Sequence, residues 1–446
     1  MSEASLDTLW LRLLPQPLRS RLAGRRLVQT LIENAGWLVA DKVVRLGVGV
    51  FLNIWIARYL GPALFGLLSY TQAIAVMLSF LSTLGLPDIL IRDLARMSDR
   101  HRVILASAFI LRLAGAAAVI LVSLVYIIIS RPDEPGVWLL VALFASSQLA
   151  QAMDVIDTEY QMASRVRTVV LLRNMNFIVF SVIKIVAVLT GSSVTVFAVL
   201  YALELFITAL LLWFRARRDG LGFTLNDASR HEMSRLLVEC APLILRLAAI
   251  GVYLRIDQIL IGWMEGDAAV GLYVAATRLT EPWYLIVTAA MTAFVPRLAQ
   301  IHHLQNDLYE AQLKKVIRIL VWASVVMAVA MTVVAPYAVS ILYGASFASA
   351  APVLMIHAWA AIFSTLGQTV SAWFINKRLI RYGVYQSIAS VIVNVVLCLV
   401  LIPRLGIAGA AVAAVASQFV AGFAANAFFR ATRPIFHLQL RAILWR

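Results

Sequence analysis

Twelve times along this chain, an apolar stretch long enough to cross a bilayer is followed by a short polar break. The windows run over about 36–58, 64–86, 103–129, 137–154, 169–190 and 193–214, then 238–263, 269–294, 316–338, 351–374, 382–402 and 406–429. A spanning helix needs about 20 such residues. The window at 137–154 is the weakest, because Gln148, Gln151 and Asp154 dilute its end. With 62% of 446 residues hydrophobic and 14% charged, one soluble core has no room for this much apolar surface, whereas a bilayer accepts it. The pattern predicts an all-α membrane protein of about twelve transmembrane helices.

A formal charge of +15 invites a nucleic-acid reading, but the positions of the charges exclude it. Lys and Arg between the windows fall on alternate connections. One side holds the N-terminal group from Arg12 to Arg26, then Arg92 to Arg102, Arg165 and Arg167, and Arg215 to Arg235. It continues through Arg297, Lys314 and Lys315, Lys377 to Arg381, and Arg430 to Arg446. The other side has only Arg58, Arg131 and Arg404, a ratio of 26 to 3. The positive-inside rule then places both termini in the cytoplasm, in keeping with an even number of spans. Residues 1–34 form a basic segment without an apolar signal region, so the first span reads as an uncleaved signal-anchor. Within it Leu6, Leu9, Trp10, Leu13 and Leu14 have helical spacing before Pro15 and Pro17, which suits a short helix on the cytoplasmic leaflet. Cys240 and Cys398 lie in apolar surroundings and read as core residues, with neither disulfide nor metal spacing.

The connections on the arginine-poor side are short, and the longest polar one, Arg215 to Arg235, falls at the midpoint. An internal repeat supports a division there. Gly61 matches Gly266, Gly66 matches Gly271, Leu67 matches Leu272 and Arg92 matches Arg297, all at an offset of 205. Gly191 with Gly406 and Phe214-Arg215 with Phe429-Arg430 share an offset of 215. Repeats that begin on the same side imply two pseudo-symmetric six-helix lobes about an axis along the membrane normal. The expected units are a cytoplasmic segment 1–34, an N-lobe 35–215, a cytoplasmic linker 216–235 acting as hinge, and a C-lobe 236–446.

Charges inside the windows mark the candidate site. A cation at the bilayer centre costs about 2.5–3.5 kcal/mol on insertion scales. Arg112, Lys184, Arg255 and Arg278 all lie deep, and Arg45 shares a helical face with Asp41 and Lys42. Arg278 and Glu281 share a face, Asp257 needs a partner on another helix, and Glu204 is placed to pair with Lys184. The balance is basic, which suggests a hydrated cavity between the lobes that receives something negatively charged. No metal-ligand or nucleophile cluster is present, and His357 reads as a packed histidine.

The stretches IARYLGPALFGLLSY from Ile56, STLGLPDILIRDLAR from Ser82, Arg255 to Gln300, and LIPRLGIAGAAVAAVASQ from Leu401 resemble the Wzx-type polysaccharide repeat-unit flippases. These belong to the multidrug/oligosaccharidyl-lipid/polysaccharide exporter superfamily. The likeness covers most of the chain from about residue 35 and is most specific over Arg255–Gln300. It implies a cofactor-free transporter in the bacterial plasma (inner) membrane. The implied cargo is an undecaprenyl-pyrophosphate-linked oligosaccharide, carried from the cytoplasmic to the outer leaflet through a cation-lined cavity.

Arginine offers planar, permanently charged forks for phosphate oxygens. Arg45, Arg255 and Arg278 are therefore the expected pyrophosphate contacts, with Arg112 and Lys184 supplying cavity field. Asp41, Glu204, Asp257 and Glu281 are the charge partners, the last three also candidates for proton or sodium coupling. A multidrug cation exporter of the same superfamily would want an acidic cavity. A membrane glycan polymerase or ligase would want acidic groups or a large loop outside, where only Asp133, Glu134, Glu265 and Asp267 are found.

Overall fold

The computed structural model describes residues 26–96, 100–163, 165–304, 306–377 and 379–444. The expected leaflet helix around Leu6–Leu14 lies outside the described residues. The first half comprises α1 (Arg26–Met77), α2 (Leu86–Arg96), α3 (His101–Ser130), α4 (Pro135–Gln151), α5 (Asp154–Met162), α6 (Val166–Leu189) and α7 (Val194–Arg218). The second comprises α8 (Arg230–Met264), α9 (Asp267–Leu304), α10 (Asn306–Tyr343), α11 (Ala350–His357), α12 (Ala360–Asn376), α13 (Ile380–Leu405), α14 (Ile407–Phe419) and α15 (Arg433–Ile443).

Ten helical runs among the described residues are long and apolar enough to cross a membrane. The first, Ala40–Arg96, has 57 residues, which suffices for two crossings, and it breaks at Gly61. The 38-residue α9 is of spanning length too, although Arg278 and Glu281 dilute it. Dividing the first run and adding α9 gives the twelve crossings expected.

The repeat has a physical basis in its glycines. Gly61 and Gly266 open the second and eighth crossings at φ 71° and 83°, and Gly191 and Gly406 turn the chain at φ 71° and 59°. Side chains with a Cβ rarely adopt that region. Pro62 follows Gly61 and starts the next helix, so one crossing reverses into the next with almost no loop. Gly66 and Gly271 serve closeness instead. A Cβ on Gly66 would sit 1.7 Å from the Asp267 carbonyl oxygen, and one on Gly271 would sit 2.0 Å from that of Pro62. The lobes therefore meet backbone to backbone where α9 begins, as small residues allow within membranes.

Several crossings are interrupted. The second turns through Leu84 and Gly85, both left-handed, before α2. The fourth bends at Ala152–Met153 and continues as α5 to Met162, past the expected end at 154. It continues because Asp154 and Asp157 find arginines on neighbouring helices. The tenth bends between α11 and α12, and the twelfth relaxes into a π-helical turn over Val420–Ala424. The midpoint connection shortens to 219–229, because α7 runs to Arg218 and α8 starts at Arg230. It docks on the first half: Gly222 N donates to Glu159 Oε1 at 3.2 Å and Ser229 N to Ser107 Oγ at 3.1 Å. The sequence reading missed α15, which buries Ile435, Gln439 and Ala442 after the last crossing. Cys240 and Cys398 are buried and unpaired, in line with their core reading.

Candidate substrate cavity

A cavity of about 760 Å³ opens within the C-lobe. Four helices each turn a polar stripe toward it. From α8 come Arg246, Tyr253, Asp257 and Gln258, with Arg255 beside them, and from α9 come Thr277, Glu281 and Tyr284. The α12 stripe is Ser364, Gly367, Gln368 and Ser371, and that of α13 is Gly383, Gln386, Ser387, Ser390 and Asn394. Gln418 of α14 and Ala421 of the π-helical turn complete the wall. Spacings of three and four residues put each set on one helix face. The Asp257 carboxylate accepts from the Tyr273 hydroxyl on α9, which is the partner on another helix that its position demanded, and from the backbone N–H of Gln258 at 2.8 Å. His357 also lines the cavity and bonds Thr280 through Nδ1 at 3.0 Å, so it is a wall residue rather than a purely packed one.

The N-lobe holds a recess of about 230 Å³, lined by Asn53, Gln72, Gln148, Gln151, Lys184, Tyr201 and Glu204 among others. Lys184 donates to Glu204 at 2.6 Å and lies 3.6 Å from the Tyr201 ring centroid, so the pairing expected between these two is formed.

The five expected site cations are not gathered in one chamber. Arg255 lines the C-lobe cavity and Lys184 the N-lobe recess, while Arg45, Arg112 and Arg278 line neither. Three are held by carboxylates: Arg45 by Asp41 at 2.9 Å, Lys184 by Glu204, and buried Arg112 by Asp154 at 3.7 Å. Arg173, which bridges Asp154 and Asp157, completes that last cluster. Arg255 and Arg278 make no ion pair among the described residues. Arg255 has a buried Nε without a partner, and Arg278 reaches Gln72 at 3.5 Å over the Phe65 ring. Of the four expected acids, Asp257 and Glu281 share the cavity with Arg255, Glu204 is taken by Lys184, and Asp41 by Arg45. The wall of the larger cavity thus carries Arg246 and Arg255 against Asp257 and Glu281, a balance in place of the basic excess expected. The reading by charge passed over the amide and hydroxyl stripes of α12 and α13, although their spacing inside apolar windows marks them.

Ion pairs also join the lobes at both membrane faces. At the arginine-poor end Arg131 donates to both Asp267 oxygens, at 2.9 and 2.7 Å, above the Tyr70 ring. Those hydrogen bonds raise its pKa further above the usual guanidinium range. At the basic end Arg235 of α8 binds buried Asp93 of α2 at 2.6 Å and Glu239 at 2.8 Å, Arg92 reaches Glu239, and Arg100 reaches Glu232 at 3.5 Å.

Twelve crossings in paired lobes that close on each other at both faces define a polytopic membrane protein with the fold of the MOP-superfamily transporters. Three solved structures share it. The lipid II flippase MurJ in its inward closed conformation superposes with a TM-score of 0.72 at 12% identity, over 91% of this chain and 90% of that one. An inward-facing multidrug resistance MATE family transporter gives 0.70 at 17% identity, over 89% and 96%. A MOP superfamily transporter from Pyrococcus furiosus, described by the reverse polarity of its binding pocket, gives 0.58 at 16% identity, over 93% and 95%. No curated protein matches the chain. The family model described as polysaccharide biosynthesis protein matches residues 31–302, and the MatE model matches 242–400. The chain belongs to the polysaccharide biosynthesis protein family.

Proposed function

We propose that this protein is a flippase of the bacterial plasma membrane. It moves a polyprenyl-pyrophosphate-linked oligosaccharide, of the undecaprenyl type, from the cytoplasmic to the outer leaflet by alternating access of its lobes, with both termini in the cytoplasm. The observation that carries this reading is the pair Arg255 and Arg278. Among the five cations of the candidate site, these two have no carboxylate of their own. Guanidiniums without an ion pair at such depth are costly unless an anionic ligand or water completes them. A pyrophosphate supplies paired oxygens that match the guanidinium fork. The family match over residues 31–302 supports the polysaccharide role. The lobes rock as rigid bodies joined by the connection 219–229, while the lipid tail stays in the bilayer.

Outward movement of an anion is favoured by about 2.3 kcal/mol per charge per 100 mV when the inside is negative. Proton or sodium antiport is assigned to Asp257 and Glu281, because Glu204 is committed to Lys184. Flipping in vesicles that ignores both a pH and a sodium gradient removes that assignment. The deciding experiment measures flipping of a fluorescent polyprenyl pyrophosphate-sugar in proteoliposomes. Arg255→Ala and Arg278→Ala are expected to abolish it, and full activity in both would sink the reading.

Two carboxylates in the C-lobe cavity favour a second reading, export of a cationic compound. Energised vesicles that extrude cationic dyes and leave the lipid probe untouched would establish that reading in place of the first.

A further inference from the structure

The repeat sets the two recesses in register. Gly49, Leu52, Asn53, Gln72 and Val76 line the N-lobe recess, and 205 residues on stand Leu254, Asp257, Gln258, Thr277 and Glu281. Each of those five lines the C-lobe cavity. Both copies of the six-helix unit therefore carry a hollow at the same place.

Their contents have diverged. In the N-lobe the Lys184–Glu204 pair and the Tyr201 ring occupy the hollow and leave about 230 Å³. The matching positions at an offset of 215, Leu399 and Phe419, are apolar and do not line the C-lobe cavity, which keeps about 760 Å³. That volume is of the size that holds a small-molecule ligand.

The chemistry of the larger hollow is specific. Gln258, Gln386 and Asn394 are 5%, 6% and 2% exposed, so the chain holds amides inside a membrane protein where apolar residues would cost less. Gln386 and Asn394 are tied to Asn426 and Ser417, which fixes their orientation. The Gln258 side chain makes no hydrogen bond to any described residue. An amide offers two donors and an acceptor, which suits neighbouring hydroxyl and acylamino groups. Tyr284 and Phe374 add ring faces for the apolar side of a sugar. Two bases against two acids give the wall no net preference for charge.

Given the flippase reading, we propose that the C-lobe cavity is the sugar-recognition subsite and selects an uncharged sugar rich in hydroxyl and acylamino groups, while the N-lobe recess takes no part in selection.

The test uses the purified full chain in lipid nanodiscs and two probes. One is bare polyprenyl pyrophosphate, and the other is the same lipid carrying a neutral disaccharide with N-acetyl groups. Gln258→Met and Ser387→Ala are expected to weaken binding of the glycosylated probe about three- to tenfold each, for one lost hydrogen bond, and to leave the bare lipid unchanged. Asn53→Ala in the N-lobe is expected to change neither, and thermal unfolding in the same nanodiscs verifies that each variant folds. Equal weakening of both probes, or of neither, overturns the subsite and leaves the flippase reading standing. Tighter binding of a uronic-acid disaccharide than of the neutral one overturns the selectivity. If the unmodified protein binds neither probe, the flippase reading falls and the subsite with it.

Discussion

The Lys184–Glu204 pair allows a test of how the N-lobe is built. Lys184 is 1% exposed and Glu204 11%, their contact is 2.6 Å, and the Tyr201 ring caps the ammonium at 3.6 Å. Lys184→Met leaves a buried carboxylate without its cation, and removing one partner of such a pair costs about 3–5 kcal/mol. At 1.4 kcal/mol per decade, the folded-to-unfolded ratio falls by roughly two to three and a half orders of magnitude. Glu204→Gln is milder, because an amide oxygen still accepts from Lys184 and the desolvated cation–π contact, about 2 kcal/mol, survives. The double variant Lys184→Met/Glu204→Leu replaces both charges by apolar groups of similar size. It should match the unmodified protein or exceed it by about 1–4 kcal/mol. Denaturant titration in detergent micelles, followed by tryptophan fluorescence, measures these variants together with the single Glu204→Leu, which closes the cycle with the unmodified protein, Lys184→Met and the double. The coupling between the two sites should be at least about 2 kcal/mol. Equal losses in both singles that simply add in the double would refute a buried pair. The double variant should also keep its flipping rate. A folded double variant without transport would mean that this charge pair belongs to the transport path and not to the scaffold.

Three further outcomes are expected. Gly66→Ala and Gly271→Ala each press a methyl group onto the opposite lobe's backbone, which cannot turn aside, so each should lose about 1–3 kcal/mol and most of its monodisperse yield on size exclusion. Gly136→Ala, which meets nothing within 4 Å, is the control and should behave normally. Asp267→Asn weakens the two charge-assisted bonds from Arg131, worth about 1.5–3 kcal/mol, and should raise the population open at the arginine-poor end roughly 10- to 100-fold. Spin labels at Glu134 and Trp263 read that distance, and the swap Arg131→Asp/Asp267→Arg should bring it back. Arg255→Lys keeps the charge and loses the fork, so flipping should drop well below the unmodified rate; a fully active Lys variant would count against bidentate phosphate binding.

Most of the fold was legible because lipid demands it. The windows, the arginine asymmetry and the glycine pairs each follow from a constraint that acts residue by residue. The left-handed Gly61 and Gly266 show this well, since their matching offset became matching backbone angles. The site was less legible, for reasons of partnership. Depth in a window identifies a costly cation but does not reveal its neighbours, and those lie on other helices. Arg112 is held by Asp154, which in sequence only weakened a hydropathy window. Arg92 counted only toward topology and the repeat, yet it joins a cluster between lobes. Attention to charge also hid the neutral polar stripes. Ser364, Gly367, Gln368 and Ser371 repeat at helical spacing inside an apolar window, as do Gln386, Ser387, Ser390 and Asn394. That pattern, sought deliberately, would have found the larger cavity.

The contacts between lobes also differ in their leverage. Gly66 and Gly271 touch at the start of α9, and the residue that Gly66 approaches is Asp267 itself. The Arg131–Asp267 clamp therefore sits beside the closest backbone contact of the two halves. A rigid rotation about that contact moves the clamp little and moves the basic end most. The cluster of Arg92, Asp93, Glu232, Arg235 and Glu239 lies at that far end, where even a small rotation separates α2 from α8. Strength follows the same division. The near clamp is one bidentate pair against a ring, while the far cluster has Asp93 buried to 1% with its charge met from both lobes. Rotation that parts the halves at the basic end must leave Asp93 with Arg92 alone and release Arg235 to Glu232 and Glu239 on its own helix. Each of these five retains a partner of opposite charge within its own lobe, and Arg100, which loses Glu232, is exposed, so the cluster divides without stranding a buried ion. A lock built this way opens at modest cost and closes again, which is what repeated cycles of access require.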